Sequence, residues 1–194
     1  MKKYIIFLLL FISPLTMAIT QQELISQLQK PQSVQGNFIQ QRFLKVLKNP
    51  IKTSGQFTLV AKKGLLWQMK APFENNLRVT SEGIKQYNGT EWVGNNNVAQ
   101  QQQIQLFLGL LSGDISTLKQ QFDLKLTGEK SAWKLDLIPN AFLMKQIFNT
   151  IQLQGNEVVT QIILDEKQGD KTIIQFDNIK VNSPLSSFVQ QALN

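Results

Sequence analysis

The sequence predicts a mainly β protein of the α+β class, built on a single large, strongly curved antiparallel sheet. About ten segments alternate apolar and polar residues with a period of two, as half-buried strands do. Short turns containing Gly or Asn separate them, which favours hairpins over long crossovers. The 194 residues contain few helical segments and no stretch that resembles a flexible linker, so one domain is expected.

The first residues have the pattern of a secretory signal peptide. Lys2 and Lys3 precede an apolar run from Tyr4 to Ile12, and Thr16-Met17-Ala18 has the small residues of a signal-peptidase cleavage site. The run is about half as long as the roughly 20 residues that a membrane-spanning helix needs. We therefore expect cleavage after Ala18, with residues 1–18 as signal peptide and 19–194 as the soluble exported domain.

The exported part begins with a short amphipathic helix, after which the period changes to two. Thr20 can cap this helix, Leu24, Ile25 and Leu28 form its apolar stripe, and it ends before Pro31. The strands predicted next are Gly36 to Leu47, Gln56 to Ala61, Leu65 to Lys70, Leu77 to Ser81, Ile84 to Asn88 and Glu91 to Val93.

The middle of the chain departs from this pattern before the strands resume. Asn95 to Gln103 is rich in Asn and Gln, and Ile104 to Lys119 is predicted helical with a break at Gly113-Asp114. The later strands are Phe122 to Thr127, Trp133 to Ile138, Ile147 to Gln154, Val158 to Glu166 and Lys171 to Val181, and Leu185 to Ala192 forms a closing helical turn.

The connection from Asn140 to Phe148 contains three consecutive apolar residues, Phe142, Leu143 and Met144. Strand alternation cannot bury all three, so at least one is expected to be exposed or folded under a helix. This connection is either a plug over the mouth of the sheet or a docking surface.

One face of nearly every strand is apolar, and the opposite face, with Leu66, Gln68 and Lys70, is expected to be solvated. Three short helical pieces are too few to fill the concavity of such a sheet, so a ligand cavity is predicted, with a dry core as the alternative. The candidate cavity residues are Phe57, Leu59, Leu65, Trp67, Met69, Leu77, Val79, Trp133 and Leu135.

The composition argues against an enzyme. The chain has no His and no Cys, so imidazole bases, thiol nucleophiles, the common metal sites and a lipid-bearing Cys are all excluded. Neither a cofactor nor a metal is expected, and a lipid-modifying enzyme would lack both nucleophile and base.

Removing Lys2 and Lys3 changes the formal charge from +7 to +5, and scattered lysines do not predict nucleic-acid binding. They fit either a solvated surface or attraction to an anionic membrane or an acidic partner.

A series of short motifs follows the first helix. They are Gly36-Asn37-Phe38-Ile39-Gln40-Gln41, Ser54-Gly55-Gln56-Phe57, Gly64-Leu65-Leu66-Trp67, Pro72-Phe73 and Leu77 to Thr80. In this order and at this spacing they resemble the outer-membrane lipoprotein carrier protein family, LolA and its relatives.

The resemblance implies an unclosed half-barrel whose short helices form a lid over a hydrophobic cavity. It also implies a carrier in the periplasm of the Gram-negative envelope, a monomer here, that takes acylated lipoproteins or related lipids from an inner-membrane donor transporter to an outer-membrane acceptor. The lid residues are expected to be Leu24, Ile25, Leu28, Leu106, Phe107, Leu110 and Leu111.

One departure from the family pattern concerns the turn before Trp67. The family usually has an Arg-Pro pair there, whose Arg bonds to the lid, whereas this chain has Lys62, Lys63 and Gly64. The version found here is more similar to a divergent branch that accompanies lipid or polyene export, which leaves the cargo open.

The alternative function is a lipid- or lipoprotein-binding sensor of the envelope, or an accessory module of a lipid export system. Such a sensor is expected to have a second domain or a membrane anchor, and the chain ends at Asn194 without one.

Overall fold

The computed structural model describes residues 18–94, 106 and 108–194, with the side chains of 115 and 116 left aside. The predicted signal peptide, apart from Ala18, lies outside the described residues, as do Asn95 to Gln103 and the predicted lid residue Phe107. Within the described part, no helix has the length and apolar character needed to cross a bilayer.

The described residues form eleven strands and five helical segments. The strands are β1 (Ser33–Phe43), β2 (Ile51–Val60), β3 (Gly64–Ala71), β4 (Asn75–Thr80), β5 (Gly83–Tyr87), β6 (Trp92–Gly94), β7 (Phe122–Glu129), β8 (Ala132–Pro139), β9 (Phe148–Gly155), β10 (Val159–Glu166) and β11 (Lys171–Val181). The helices are α1 (Gln21–Gln29), α2 (helical at Leu106 and 108–112), α3 (Ile115–Leu118), α4 (Phe142–Ile147) and α5 (Ser187–Ala192).

All eleven strands belong to one antiparallel sheet in the order β6-β5-β4-β3-β2-β1-β11-β10-β9-β8-β7. The chain starts at the centre with β1, builds one half by hairpins out to β6, and restarts at the other edge with β7 before returning to β11. The longest strands, β1 and β11, therefore pair at the centre, and β6 and β7 are left as the two edges. This unclosed sheet confirms the predicted fold class. We call the end at which β1 ends and β2 begins the lower end, and the opposite end the upper end.

The inner face is apolar across nearly its whole width and is centred on four aromatic rings. Phe38 stacks on Trp67 with ring centroids 3.7 Å apart, and Phe57 lies 4.8 Å from Phe176. Trp67 meets Phe176 edge to face at 6.2 Å. These rings come from β1, β2, β3 and β11.

Gly55 stands opposite Phe38, where an added Cβ would lie 2.0 Å from the Gln68 carbonyl oxygen, so a side chain there would push β2 and β3 apart.

The outer face carries a second apolar cluster that the sequence interpretation missed. Leu66, expected to be solvated, is fully buried beneath α5, where it packs with Val189, Ala192 and Leu193. The closing helix therefore covers the outside of the sheet, and only the other helical pieces are available for the inside. Arg78 joins this cluster by placing its guanidinium 5.2 Å from the Trp92 ring centroid and donating to the Ala192 carbonyl at 3.2 Å.

Helix α1 confirms its predicted cap and lies across the upper end of the inner face. The Thr20 hydroxyl accepts a hydrogen bond from the Glu23 amide, and the Glu23 carboxylate accepts one from the Thr20 amide, which is a capping box. Glu23 also pairs with Lys130 at 2.8 Å, in the β7–β8 turn, and the Ile19 amide donates to Gly128. Hydrogen bonds from the Lys130 ammonium and then from Thr20 lower the pKa of Glu23 from 4.5 to about 2.

Several predicted boundaries were wrong, and β2, for example, begins at Ile51 instead of Gln56. β1 ends at Phe43 instead of Leu47, because the Leu47 amide donates to the Leu44 carbonyl at 2.9 Å and closes a turn within the hairpin connection. The supposed loop from Asn140 to Phe148 contains helix α4, whose Met144 is buried while Phe142 and Leu143 are exposed. The expectation of at least one exposed apolar residue there is confirmed.

The first prediction uses the charge on Glu23. Because the folded state depresses the Glu23 pKa, its stabilisation is present above about pH 4.5 and is lost as the pH falls toward 2. We expect Glu23→Gln to lower the urea midpoint slightly at pH 6, and this difference to shrink to nothing near pH 2. A difference that stays constant across this range would show that the carboxylate charge plays no part in holding α1.

The second prediction concerns the outer cluster. Leu66→Ala should lower the free energy of unfolding by about 2–5 kcal/mol, because it opens a cavity beneath α5. Ile39→Ala, at an exposed apolar position of β1, should change it by less than about 1 kcal/mol. Equal effects of the two substitutions in denaturant unfolding would contradict a packed cluster on the outer face.

Candidate binding cavity

A cavity of about 350 Å³ lies between the inner face and helix α2 and reaches the lower end of the sheet. Its walls come from β3 and β4 on one side and from β9, β10 and β11 on the other, with α2 above. The lining residues are Gln40, Arg42, Leu65, Trp67, Leu77, Val79, Leu106, Leu110, Phe148, Leu164, Glu166, Thr172 and Ile174. We call it the lower cavity; its volume lies within the range of small-molecule binding sites.

The lining changes from apolar to polar toward the lower end. Gln40 and Arg42 follow Phe38 along β1 on the same face, and Thr172 and Glu166 stand beside them on β11 and β10. The Arg42 guanidinium lies 3.8 Å from the Asp170 carboxylate in the β10–β11 turn. The interior of the cavity is thus apolar, and its polar part at the lower end carries both charges. We call this polar part, formed by Gln40, Arg42, Glu166 and Thr172, the mouth.

Two buried polar atoms add to the polar end of the inner face. Thr53, which pairs with Gln40, and Asn75, which pairs with Met69, each have a side-chain oxygen without a hydrogen-bond partner in the described part of the chain. Such unsatisfied oxygens are costly unless water or a ligand reaches them.

An upper cavity of about 580 Å³ lies on the other side of α2. Its walls include Leu28 of α1, Leu59 of β2, Lys62 in the β2–β3 turn and Leu118 of α3. Leu106 contributes to both cavities, so α2 is the partition between them. Any movement of α2 changes both volumes together.

Helices α1 and α2 form one cover through a contact at Gly113. The Gln29 side chain donates to the Gly113 carbonyl at 3.2 Å, and an added Cβ on Gly113 would lie 2.5 Å from the Leu28 Cβ. Gly113 also has φ +69°, in the left-handed region that suits glycine at the end of a helix. The close approach therefore depends on this glycine.

The nine predicted cavity residues belong to one inner apolar cluster or, in the case of Met69 and Leu77, pack against it, and five of them line the lower or the upper cavity. Leu65, Trp67, Leu77 and Val79 line the lower cavity, and Leu59 lines the upper one. The remaining four are packed inside the cluster without lining either cavity: Phe57, Met69, Trp133 and Leu135.

The predicted lid residues within the described part also face the inner cluster. Leu24, Leu28, Leu106, Leu110 and Leu111 are buried there, and Ile25 packs against it half-buried. Leu106 and Leu110 are the two that reach the lower cavity.

Comparison with known proteins agrees with this geometry. The family model for "outer membrane lipoprotein carrier protein LolA-like" matches residues 14–174. The chain belongs to this LolA-like family. An outer-membrane lipoprotein carrier protein of Coxiella burnetii (strain RSA 331 / Henzerling II) is 38% identical over 80 residues, which cover 40% of this chain and 37% of that protein. The match thus spans little more than a third of the relative's length.

Solved structures share the architecture. The Pseudomonas aeruginosa MucA/MucB complex aligns with a TM-score of 0.52 at 14% identity, over 88% of this chain and 58% of that chain. A LolA superfamily protein from Nitrosomonas europaea aligns with a TM-score of 0.48 at 10% identity, over 91% of this chain and 98% of that one. The first alignment supports the same fold.

The β2–β3 turn, in which this LolA-like chain has Lys62, Lys63 and Gly64, lines the upper cavity and also reaches the outer face. Lys62 has φ 63° and Gly64 has φ 136°, and the Lys63 ammonium donates to the Asn194 side chain at 2.9 Å, beside α5 on the outer face. Polar links from the cover to the body of the protein are made by α1: Gln27 donates to the Lys130 carbonyl at 3.1 Å and to the Asn156 carbonyl. The cover is thus tied at the β7–β8 and β9–β10 turns.

Sequence reasoning missed the polar mouth and the far wall of the lower cavity. Gln40 and Arg42 could have been found by extending the period of two from Phe38, since they fall on its face. Phe148 and Leu164 could not be placed without the pairing of β9 with β10.

The lower cavity can bind apolar groups but carries little reactive chemistry. Among the described lining residues, Glu166 is the single carboxylate, and none is Lys, His or Cys. Among the described residues, no three His, Cys, Asp or Glu side chains lie together as metal ligands would.

The third prediction tests the contact between α1 and α2. Gly113→Ala should lower the free energy of unfolding by about 1–2 kcal/mol and speed amide exchange in α1, because the new methyl strains the left-handed backbone and collides with Leu28. Gly109→Ala is the matched control: its Cβ would meet no described atom closer than 3.7 Å, so it should be neutral or slightly stabilising. If both substitutions behave alike, α1 and α2 do not close on each other at this point.

Proposed function

We propose that this LolA-like chain is a periplasmic carrier that holds acyl chains of lipoproteins, or of related lipids, in the lower cavity. The observation that carries the proposal is an apolar cavity under α2 with a polar mouth, in a member of a lipoprotein-carrier family. In this proposal residues 1–18 direct export, 19–194 form the carrier, and the carrier acts without catalysing a reaction.

The energetics of binding suit an acyl chain. Each methylene moved from water to an apolar surrounding contributes about 0.8 kcal/mol, so a long acyl chain gains on the order of 10 kcal/mol. The lining of Leu65, Trp67, Leu77 and Ile174 provides such surroundings, with Leu106 and Leu110 above. This gain is comparable to what the same chain has in a bilayer, so transfer between membrane and carrier is feasible.

Release requires that something compete with the cargo, and α2 is placed to do so. Leu106 and Leu110 occupy part of the concavity, so a bulky acyl chain has to displace them. When cargo leaves, these leucines return to the inner face and recover their own burial. The closed cover thus lowers the net affinity and makes a hand-over possible.

The mouth suits the polar end of an acylated molecule. Arg42 and Gln40 offer donors, Thr172 offers a hydroxyl, and the unsatisfied oxygen of Thr53 lies on the strand next to Gln40. A headgroup or the first residues of a lipoprotein would replace water here, while the acyl chain lies deeper. We further propose that a monomer carries this cargo from an inner-membrane donor to an outer-membrane acceptor, as membership of a lipoprotein-carrier family suggests.

The fourth prediction uses Trp67 as a reporter. It lines the lower cavity and stacks on Phe38, so acyl methylenes entering beside the indole should change its emission. Titration with a palmitoylated peptide should therefore shift tryptophan fluorescence saturably. Trp67→Phe should abolish the shift even though Trp92 and Trp133 remain, while the unacylated peptide should give none.

A matched pair of variants separates binding from folding. Leu77→Asn places an amide in the wall of the lower cavity, whereas Leu126→Asn places one at a half-buried inner position of β7 away from the cavity. Both should cost similar stability, but Leu77→Asn alone should weaken binding of the palmitoylated peptide, by about tenfold. A wild type that binds no palmitoylated peptide, or two variants that bind it equally, would mean that the concavity is a packed core.

A further inference from the structure

The lower end of the sheet exposes a group of large apolar side chains at its connections. They lie in and beside the β1–β2 connection, in the β3–β4 connection and in α4. Val46 is 87% exposed, Phe73 81% and Phe142 79%. We call this group the lower rim; its members are Phe43, Val46, Leu47, Ile51, Phe73, Phe142 and Leu143.

Hydrogen bonds and pairing along the lower end join these segments into one surface. The Lys45 amide donates to the Asp170 carboxylate at 3.0 Å, which links the β1–β2 connection to the β10–β11 turn. The Lys167 amide donates to the Ile147 carbonyl at 2.9 Å, which links the same turn to the end of α4. Phe73 follows β3, which pairs beside β2. These links hold the segments of the lower rim together at one end of the sheet.

The opposite end of the sheet has a different surface. The connections at 61–63, 81–82, 130–131 and 156–158 contribute no large exposed apolar residue among those the structure describes. Among the described strand residues at that end, Val181, the last residue of β11, is the one large apolar side chain that is exposed. Apolar residues that are exposed by chance would be distributed over both ends. Their concentration at one end indicates a contact surface.

Positive charge accompanies the lower rim. Residues 42–52 contain Arg42, Lys45, Lys48 and Lys52 and no acidic residue, and Lys145 lies next to the exposed side chains of α4. Segments that lie on a membrane surface usually combine two kinds of side chain. Apolar side chains enter the headgroup region, and neighbouring lysines contact anionic headgroups.

The mouth of the lower cavity opens at the same end, since Arg42 and Glu166 line it and Arg42 pairs with Asp170 of the β10–β11 turn. We propose that the lower rim binds the surface of an anionic lipid bilayer and turns the cavity mouth toward it. An acyl chain could then pass between bilayer and cavity without crossing water. This contact goes beyond the carrier proposal, because it requires neither cargo nor an occupied cavity.

The test is cosedimentation of the purified protein with extruded vesicles that contain no acylated peptide. Vesicles of phosphatidylethanolamine and phosphatidylglycerol should bind the protein at low salt, and binding should weaken as salt is raised or when phosphatidylcholine replaces the anionic lipid. Phe73→Ser combined with Phe142→Ser should reduce the partition coefficient by about tenfold or more, because both rings lose their place in the interface.

The matched control combines Val93→Ser with Val181→Ser, two exposed apolar positions away from the lower rim, and should bind vesicles like the wild type. All four substitutions lie at exposed sites, so folding, checked by circular dichroism, should be retained. Wild type that ignores anionic vesicles, or rim and control variants that bind them equally, would overturn the proposal. Binding to native envelope vesicles but not to pure lipid would assign the lower rim to a protein partner and overturn it as well. Peptide binding by Trp67 fluorescence would stand in either case.

Discussion

The structure depends on covering the apolar inner face of a sheet that does not close. A closed barrel has no free edges and encloses its own inner face, but here β6 and β7 are separate edges and the inner face needs helices above it. Helices α1 and α2 bury Leu24, Leu28 and Leu110 against that face, so the same contact stabilises the fold and determines how much space remains for a ligand. A stronger contact would give a more stable protein with no cavity.

Tight packing and ligand space lie in different parts of the molecule. At the centre, four aromatic rings from neighbouring strands pack against one another: Phe38, Trp67, Phe57 and Phe176. On the outside, α5 covers Leu66 and packs directly on the sheet. The cover is held at the upper end by the contacts of Glu23 and Gln27. The polar lining therefore lies at the lower end, away from these ties, where an opening costs the fold least.

Much of this arrangement could be predicted from the sequence, because strand alternation and turn residues are local signals. The period of two placed Leu65, Trp67, Leu77 and Val79 on one face, and Thr20 indicated the start of α1. What remained hidden depended on pairing between distant segments. Leu66 appeared solvated because nothing in its neighbourhood indicates that α5 packs on it, and the helix at Phe142 to Ile147 was obscured by its shortness. Period alone does not separate a cavity wall from a packed core, so it could not show that Phe57 and Trp133 lie outside the linings of the lower and upper cavities.

The central claim, that the space beneath α2 is kept for acyl chains, is tested most directly by native mass spectrometry of the protein isolated from periplasmic extracts without detergent. The account predicts a population whose added mass, after organic extraction, is identified as an acyl-bearing lipid or lipoprotein fragment, and which returns to the mass of the free protein on delipidation. A protein that is isolated uniformly free of acyl-bearing molecules, and that acquires none when incubated with envelope lipids, would contradict it.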